Sequence, residues 1–192
     1  MPELVKYAAG GLALLALTAC EGTPLRDAYA LSQVDPMTTE ARALRVAVAV
    51  PRSIQLMPGG VQMLGRVMPP DGEDDMYTFN LAPVLRMAGN TSKDTKALDA
   101  LVRHEYQIDP DSLAEFEAFR AAAQANKATG GQGSLTVNAD LCHEDAAPPD
   151  PLPITVYLKT AELDRFAILT QRDNLRDDLS DADLSTLTPP CG

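Results

Sequence analysis

The clearest regularity along the chain is a repeated alternation of apolar and polar residues. In residues 43–51 (ALRVAVAVP), Leu44, Val46, Val48 and Val50 fall on one side, with Arg45, Ala47 and Ala49 on the other. Successive strand side chains point to opposite faces, so this pattern predicts a strand with one buried face, ended at Pro51. Residues 61–68 (VQMLGRVM) predict a weaker strand, interrupted by Gly65. The Asp71-Gly72 pair that follows carries turn chemistry. Residues 76–81 (MYTFNL) resume the alternation with Tyr77, Phe79 and Leu81 on one side, so 61–81 reads as a β-hairpin. Residues 134–142 (SLTVNADLC) alternate best of all, and 154–160 and 166–171 predict two further strands.

Two stretches change period from two to that of a helix. Residues 110–127 follow Asp109-Pro110, a pairing suited to an N-cap and first helical residue, and their Leu113, Phe116, Phe119 and Ala123 form an apolar stripe. Gly130-Gly131 stops this helix. Residues 94–103 place Leu98, Leu101 and Val102 at helical spacing and predict a weaker helix, followed by a short extended piece at 105–108 and with His104 near the helix end. Asp35-Pro36 predicts a short helix through Arg42, preceded by a loop-like tether, and Leu175, Leu179, Leu184 and Leu187 are spaced to pack as short turns in the acidic tail. The expected fold is therefore β-rich α+β, with an antiparallel sheet or β-sandwich of about six strands and the two helices inserted between strands.

The 192-residue chain has a formal net charge of −11. Such acidity repels phosphate backbones and excludes nucleic acid as a partner. It also keeps a protein soluble without any acidic-site function.

The N-terminus adds an address. Met1–Lys6 is short and basic through Lys6 and the terminal amine, Tyr7–Ala19 is apolar and uncharged, and small residues precede a cysteine. These are the marks of a secretory signal, and the apolar stretch is shorter than the ~20 residues a spanning helix needs. Leu17-Thr18-Ala19-Cys20 resembles the lipobox of bacterial lipoproteins at all four positions. The resemblance implies cleavage by signal peptidase II between Ala19 and Cys20, a thioether-linked diacylglycerol on Cys20 and a further acyl chain, commonly palmitate, on the new amine. It divides the chain into a signal peptide (1–19), a lipidated Cys and tether (20–40) and a single periplasmic domain (41–192), attached to the bilayer through acylated Cys20. Residue 21 is Glu, not the Asp that retains many such proteins at the inner membrane, so the expected location is the outer membrane, facing the periplasm. Two or three chains on one residue suffice for stable attachment, since each buried methylene contributes about 0.8 kcal/mol.

If lipid consumes Cys20, Cys142 and Cys191 remain, an even number in an oxidising compartment. A Cys142–Cys191 disulfide is the expectation, with two free thiols as the alternative.

Candidate chemistry in the domain is sparse. His104 and His143 are the two histidines, and no nucleophile elbow, zinc-protease, P-loop or dinucleotide fingerprint occurs. Cys142-His143-Glu144-Asp145 offers nucleophile, base and ligand types, but adjacent strand residues point apart and do not converge on one ion. The acidic runs Asp71–Asp75 and Asp173–Asp183 lack the spacing of a calcium loop. Asn90-Thr91-Ser92 is a sequon without meaning in a bacterial envelope. No catalytic residue, metal ligand or cofactor is assigned. The expected function is a non-enzymatic envelope lipoprotein with a protein partner. Binding of a small ligand or cation is the alternative, and a hydrolase using His143 is a third reading.

Overall fold

The computed structural model of the protein describes residues 23–35, 38–84 and 101–192. Its elements run α1 (Leu25–Ser32), β1 (Arg45–Pro51), β2 (Ile54–Met68), β3 (Asp75–Pro83), β4 (Leu101–Ile108), α2 (Leu113–Ala128), β5 (Gln132–His143), β6 (Ile154–Lys159), β7 (Ala167–Arg172) and α3 (Asp181–Leu187). The strands form one curled antiparallel sheet in the order β5-β2-β3-β4-β1-β6-β7. The expected β-rich α+β class holds, in its antiparallel-sheet form and not as a sandwich, with seven strands in the described residues where about six were expected.

The seventh strand, β4, joins the extended piece expected at 105–108 to the end of the weaker predicted helix. The first part of that helix, 94–100, lies outside the described residues. Leu101–Arg103 belong to β4, where Leu101 opposes Pro51, Val102 opposes Val50 and His104 opposes Val48. His104 is thus a half-buried strand residue and not one at a helix end, and burial pushes its pKa down from the usual value of 6.5. A short apolar run does not distinguish helix from strand, and pairing along β1 decides for strand.

β1 also differs from its sequence pattern. Val46, Val48 and Val50 face the main core as expected, but Ala47 and Ala49 are equally buried, at 0 % and 2 % exposure. β1 lies between β4 and β6, so Ala47 sits between Glu105 and Tyr157, and Ala49 between Arg103 and Thr155. On that second face the Arg103 guanidinium packs over the Phe166 ring (4.0 Å to the centroid) and over Tyr157 (5.2 Å). Small alanines leave room for these long neighbours, an arrangement that an alternation of large and small residues encodes only once the flanking strands are known.

The main core is built around α2. Asp109 accepts from the Asp111 N–H (2.9 Å) and Pro110–Ser112 form a 3-10 turn that leads into the helix. Ser112 Oγ accepts from the Asn80 N–H of β3 (3.1 Å), and the Asp109 N–H donates to Asn80 O (2.9 Å), which fixes the helix start on the sheet. The predicted stripe delivers Phe116, Phe119 and Ala123 to the interior, where the two rings meet Phe79 and Tyr77 of β3 edge-on or tilted at 5.2–5.6 Å. At the far end Asn126 continues the stripe: its Nδ2 donates to Met68 O (3.0 Å) and Gln132 O (2.9 Å), so a polar side chain ties the helix end to β2 and β5.

β2 is one strand of 15 residues, and Gly65 does not interrupt it. The shift in its pairing with β5 falls instead between Leu56 and Val61, where Met57-Pro58-Gly59-Gly60 are accommodated. The predicted hairpin is present, with Gln62 opposite Asn80 and Val67 opposite Asp75. Gly65 serves as a seat: a Cβ there would lie 2.7 Å from Cδ2 of Phe119, so the ring packs directly on the backbone.

Segments read as turns resolve further. Residues 36 and 37 of the helix expected from Asp35 to Arg42 lie outside the described residues; beyond them the Thr38 and Thr39 N–H groups donate to Asp35 O and Ala41–Ala43 form a 3-10 turn. In the tail, a 3-10 turn (Leu175–Asp178) and α3 deliver Leu184 to the core with Leu175 and Leu179 packed against it, while Leu187 stays exposed.

Overpacking at a filled site costs about 1–3 kcal/mol. Gly65→Ala is expected to destabilise the domain by that amount, measured as a lowered denaturation midpoint with unchanged slope. Stability equal to wild type would show that Phe119 does not need the space.

Candidate functional site

The residues singled out by sequence for chemistry gather where the C-terminal tail meets the end of β5. Cys142 and Cys191 form a disulfide with Cα atoms 5.0 Å apart, which consumes the thiol that a nucleophilic reading would use. His143, buried, is locked by its neighbours. Its N–H donates to Pro189 O (3.0 Å), its carbonyl accepts from the Cys191 N–H (2.9 Å), and Nδ1 lies 2.7 Å from the Asp145 carbonyl. A carbonyl can only accept, so that contact places the proton on Nδ1. Glu144 points elsewhere and accepts from the Gln55 amide, while its N–H donates to Ser53 O. Cys142 and His143 therefore join tail to sheet while Glu144 bonds to β2 and the turn before it, and no three acidic, histidine or cysteine side chains converge into a metal-ligating group among the described residues.

The two acidic runs are likewise engaged one by one. Asp74 pairs with Arg66 beside the β2–β3 turn. Asp178 pairs with Arg172 at 2.9 Å, Asp177 accepts from Asn174 (3.0 Å), and Asp183 accepts from Ser180 (2.6 Å), whose hydroxyl caps α3. Arg176 donates to the carbonyls of Pro148 and Pro149, and Asn174 accepts from the Leu152 N–H, which holds the proline-rich loop against the tail.

The opposite edge of the sheet carries a second constellation, which sequence reasoning missed. Residues 25–32, read as part of a loop-like tether, form α1, and this helix lies along β7. Thr23 Oγ1 donates to Leu169 O at 2.7 Å. The buried Asp27 accepts from the Arg165 guanidinium at 2.5 Å and from the Ile168 N–H at 2.9 Å. Leu169 is the extra residue of an irregularity in the β6–β7 pairing, where Val156 pairs with Thr170 and Tyr157 with Ile168. α1 thus satisfies backbone groups that an edge strand leaves open. Burial alone would raise the Asp27 pKa, but the Arg165 and Ile168 hydrogen bonds and the charges of Arg165 and Arg26 offset it and hold the carboxyl below its usual 3.8. The helix-forming composition of LRDAYALS was a readable signal; the pairing of Asp27 with Arg165, 138 residues away, was not.

Two shallow, open depressions lie on the surface, the second of them at the β7 edge. One lies between the Glu40–Arg42 turn and the start of α2, and the other between Thr23-Pro24 and Arg172–Asp178. Cys20, Ala19 and the apolar stretch before them lie outside the described residues. No protein family, curated protein or solved structure matches the chain.

Two outcomes follow. The disulfide closes a loop across 49 residues, and on the chain-entropy model such a link stabilises by roughly 4 kcal/mol. Cys142→Ser/Cys191→Ser is expected to lower the denaturation midpoint accordingly, and alkylation of unreduced wild type at both cysteines would overturn the bridge. The Asp27 carboxylate, with its folded pKa lowered, stabilises α1 fully above pH ~3.8, and that contribution is lost as pH falls through the folded pKa. A hydrogen-bonded buried charge contributes about 1.5–3 kcal/mol. Asp27→Asn should therefore reduce exchange protection of the Ile168 amide by roughly 10- to 100-fold at neutral pH, with the difference vanishing at strongly acid pH. A difference that persists unchanged in acid would count against the ionised carboxylate.

Proposed function

We propose that this protein is a lipid-anchored, non-enzymatic component of a bacterial cell envelope. Signal peptidase II would release residues 1–19, and the acylated Cys20 would hold the domain at the bilayer, at the outer membrane facing the periplasm. The observation that carries this reading is Leu17-Thr18-Ala19-Cys20 placed directly after a short apolar stretch. A lipid anchor supplies attachment that the described residues do not supply as a helix, since none of their helices is long and apolar enough to cross a membrane. The disulfide between Cys142 and Cys191 suits the oxidising side of that membrane. With Cys142 and His143 joining tail to sheet and Glu144 hydrogen-bonded to Gln55 and Ser53, the reading favoured for the domain is an interaction or structural role toward another envelope protein.

Growth in labelled palmitate tests the anchor. Wild type should incorporate label and partition with membranes, whereas Cys20→Ser should do neither. Unlabelled wild type in the aqueous fraction would overturn the proposal.

A further inference from the structure

The exposed face of α1 carries the two most exposed large apolar side chains among the described residues. Leu25 is 90 % exposed and Tyr29 71 %. They stand four residues apart, so they lie on one face of the helix, one turn above the other. Arg26 is exposed on the same turn. The opposite face is clamped to the sheet: Asp27 holds Arg165 and Ile168, and Thr23 holds Leu169. The direction in which Leu25 and Tyr29 point is therefore set by the domain and not by a swinging tether.

Resting on the lipid anchor proposed above, we infer that the Leu25–Tyr29 face of α1 is a membrane-contact surface that seats in the interfacial layer of the bilayer and orients the domain with its β7 edge toward the membrane. The length of chain to the anchor carries the argument. Thr23 is hydrogen-bonded to β7 and stands only three positions along the chain from Cys20. Even fully extended, three residues span about 10 Å. An acyl chain that is in the bilayer at Cys20 cannot leave Thr23 much farther than that from the headgroups. Leu25 and Tyr29 begin two residues beyond Thr23, on the element this short link pulls down.

The chemistry of the face matches such a site. Leucine gains by leaving water, and tyrosine prefers the interface, where its ring is in the apolar region and its hydroxyl stays wet. The surface expected is a zwitterionic one. The protein carries −11 overall, and the depression beside Thr23 and Pro24 is lined by Asp173, Asp177 and Asp178, with Arg172 paired to Asp178 among them. These carboxylates would be repelled by anionic headgroups, so attachment comes from the acyl chains and the apolar pair.

The chain contains no tryptophan, so a single introduced one reports alone. The lipidated protein is reconstituted in phosphatidylcholine vesicles whose acyl chains are brominated near the headgroup. In Tyr29→Trp and, as a second reporter, Leu25→Trp, emission should shift to shorter wavelength and be quenched by the bromolipid. In Met76→Trp, an exposed position on β3 four strands away in the sheet, emission should remain that of an aqueous indole. Flotation of the same vesicles separates the two ideas. Protein that floats with its indole unquenched in both α1 variants would overturn the membrane-contact surface alone. Protein that does not float would overturn the anchor and with it this inference. Equal quenching at positions 29 and 76 would overturn the stated orientation.

Discussion

The packing of Phe119 on the bare backbone of Gly65 is the contact on which the domain turns. It lets α2 come close enough for Phe116 and Phe119 to reach Phe79 and Tyr77, and all of these except the partly buried Tyr77 are fully enclosed. Burying a phenylalanine contributes about 1.5–3 kcal/mol, and edge-on ring pairs add about 0.5–1.5 kcal/mol each. The seat also explains why the helix covers β2, β3 and β5 and not the other half of the sheet. Its two ends are then fixed by polar contacts, Ser112 with Asn80 and Asn126 with Met68 and Gln132.

An open sheet leaves two edges, and here residues 23–32 and the C-terminal tail cover parts of them. α1 closes β7 through Asp27 and Thr23. The tail closes the end of β5 through Pro189, Cys191 and the disulfide. Unpaired strand groups are a template for unwanted association. Tying residues 23–32 to β7 fixes the position of Thr23 on that edge. Edge protection of β7 is thus the work of one short segment, residues 23–32.

Much of the strand content was legible because alternation is a local property. Residues 43–51, the 61–81 hairpin and 134–142 all form strands with the expected faces inward, and Asp109-Pro110 marked the start of the α2 region. The failures were of one kind. Leu101–Arg103 carry too few residues to fix a period, and pairing with β1 made them a strand. Ala47 and Ala49 looked like a half-exposed face until Arg103, Tyr157 and Phe166 were placed over that side of the sheet. Gly65 looked like a break because nothing local to β2 indicates the ring that sits on it. His143 was readable as a candidate base, yet its partners, Pro189 and Cys191, lie at the far end of the chain.

From sequence alone came the things that depend on neighbours in the chain: the apolar stretch running into Leu17-Thr18-Ala19-Cys20 and its resemblance to a lipobox, the strong charge of −11, the expected pairing of Cys142 with Cys191, and the periods of the strands and of α2. Tertiary structure decided what depends on residues far apart. It put Asp27 on Arg165, turned Gly65 into a seat for Phe119, and left Leu25 and Tyr29 outward. The reason is physical. Periodicity reports which side of an element avoids water, whereas the partner that covers that side is chosen by packing across the whole fold.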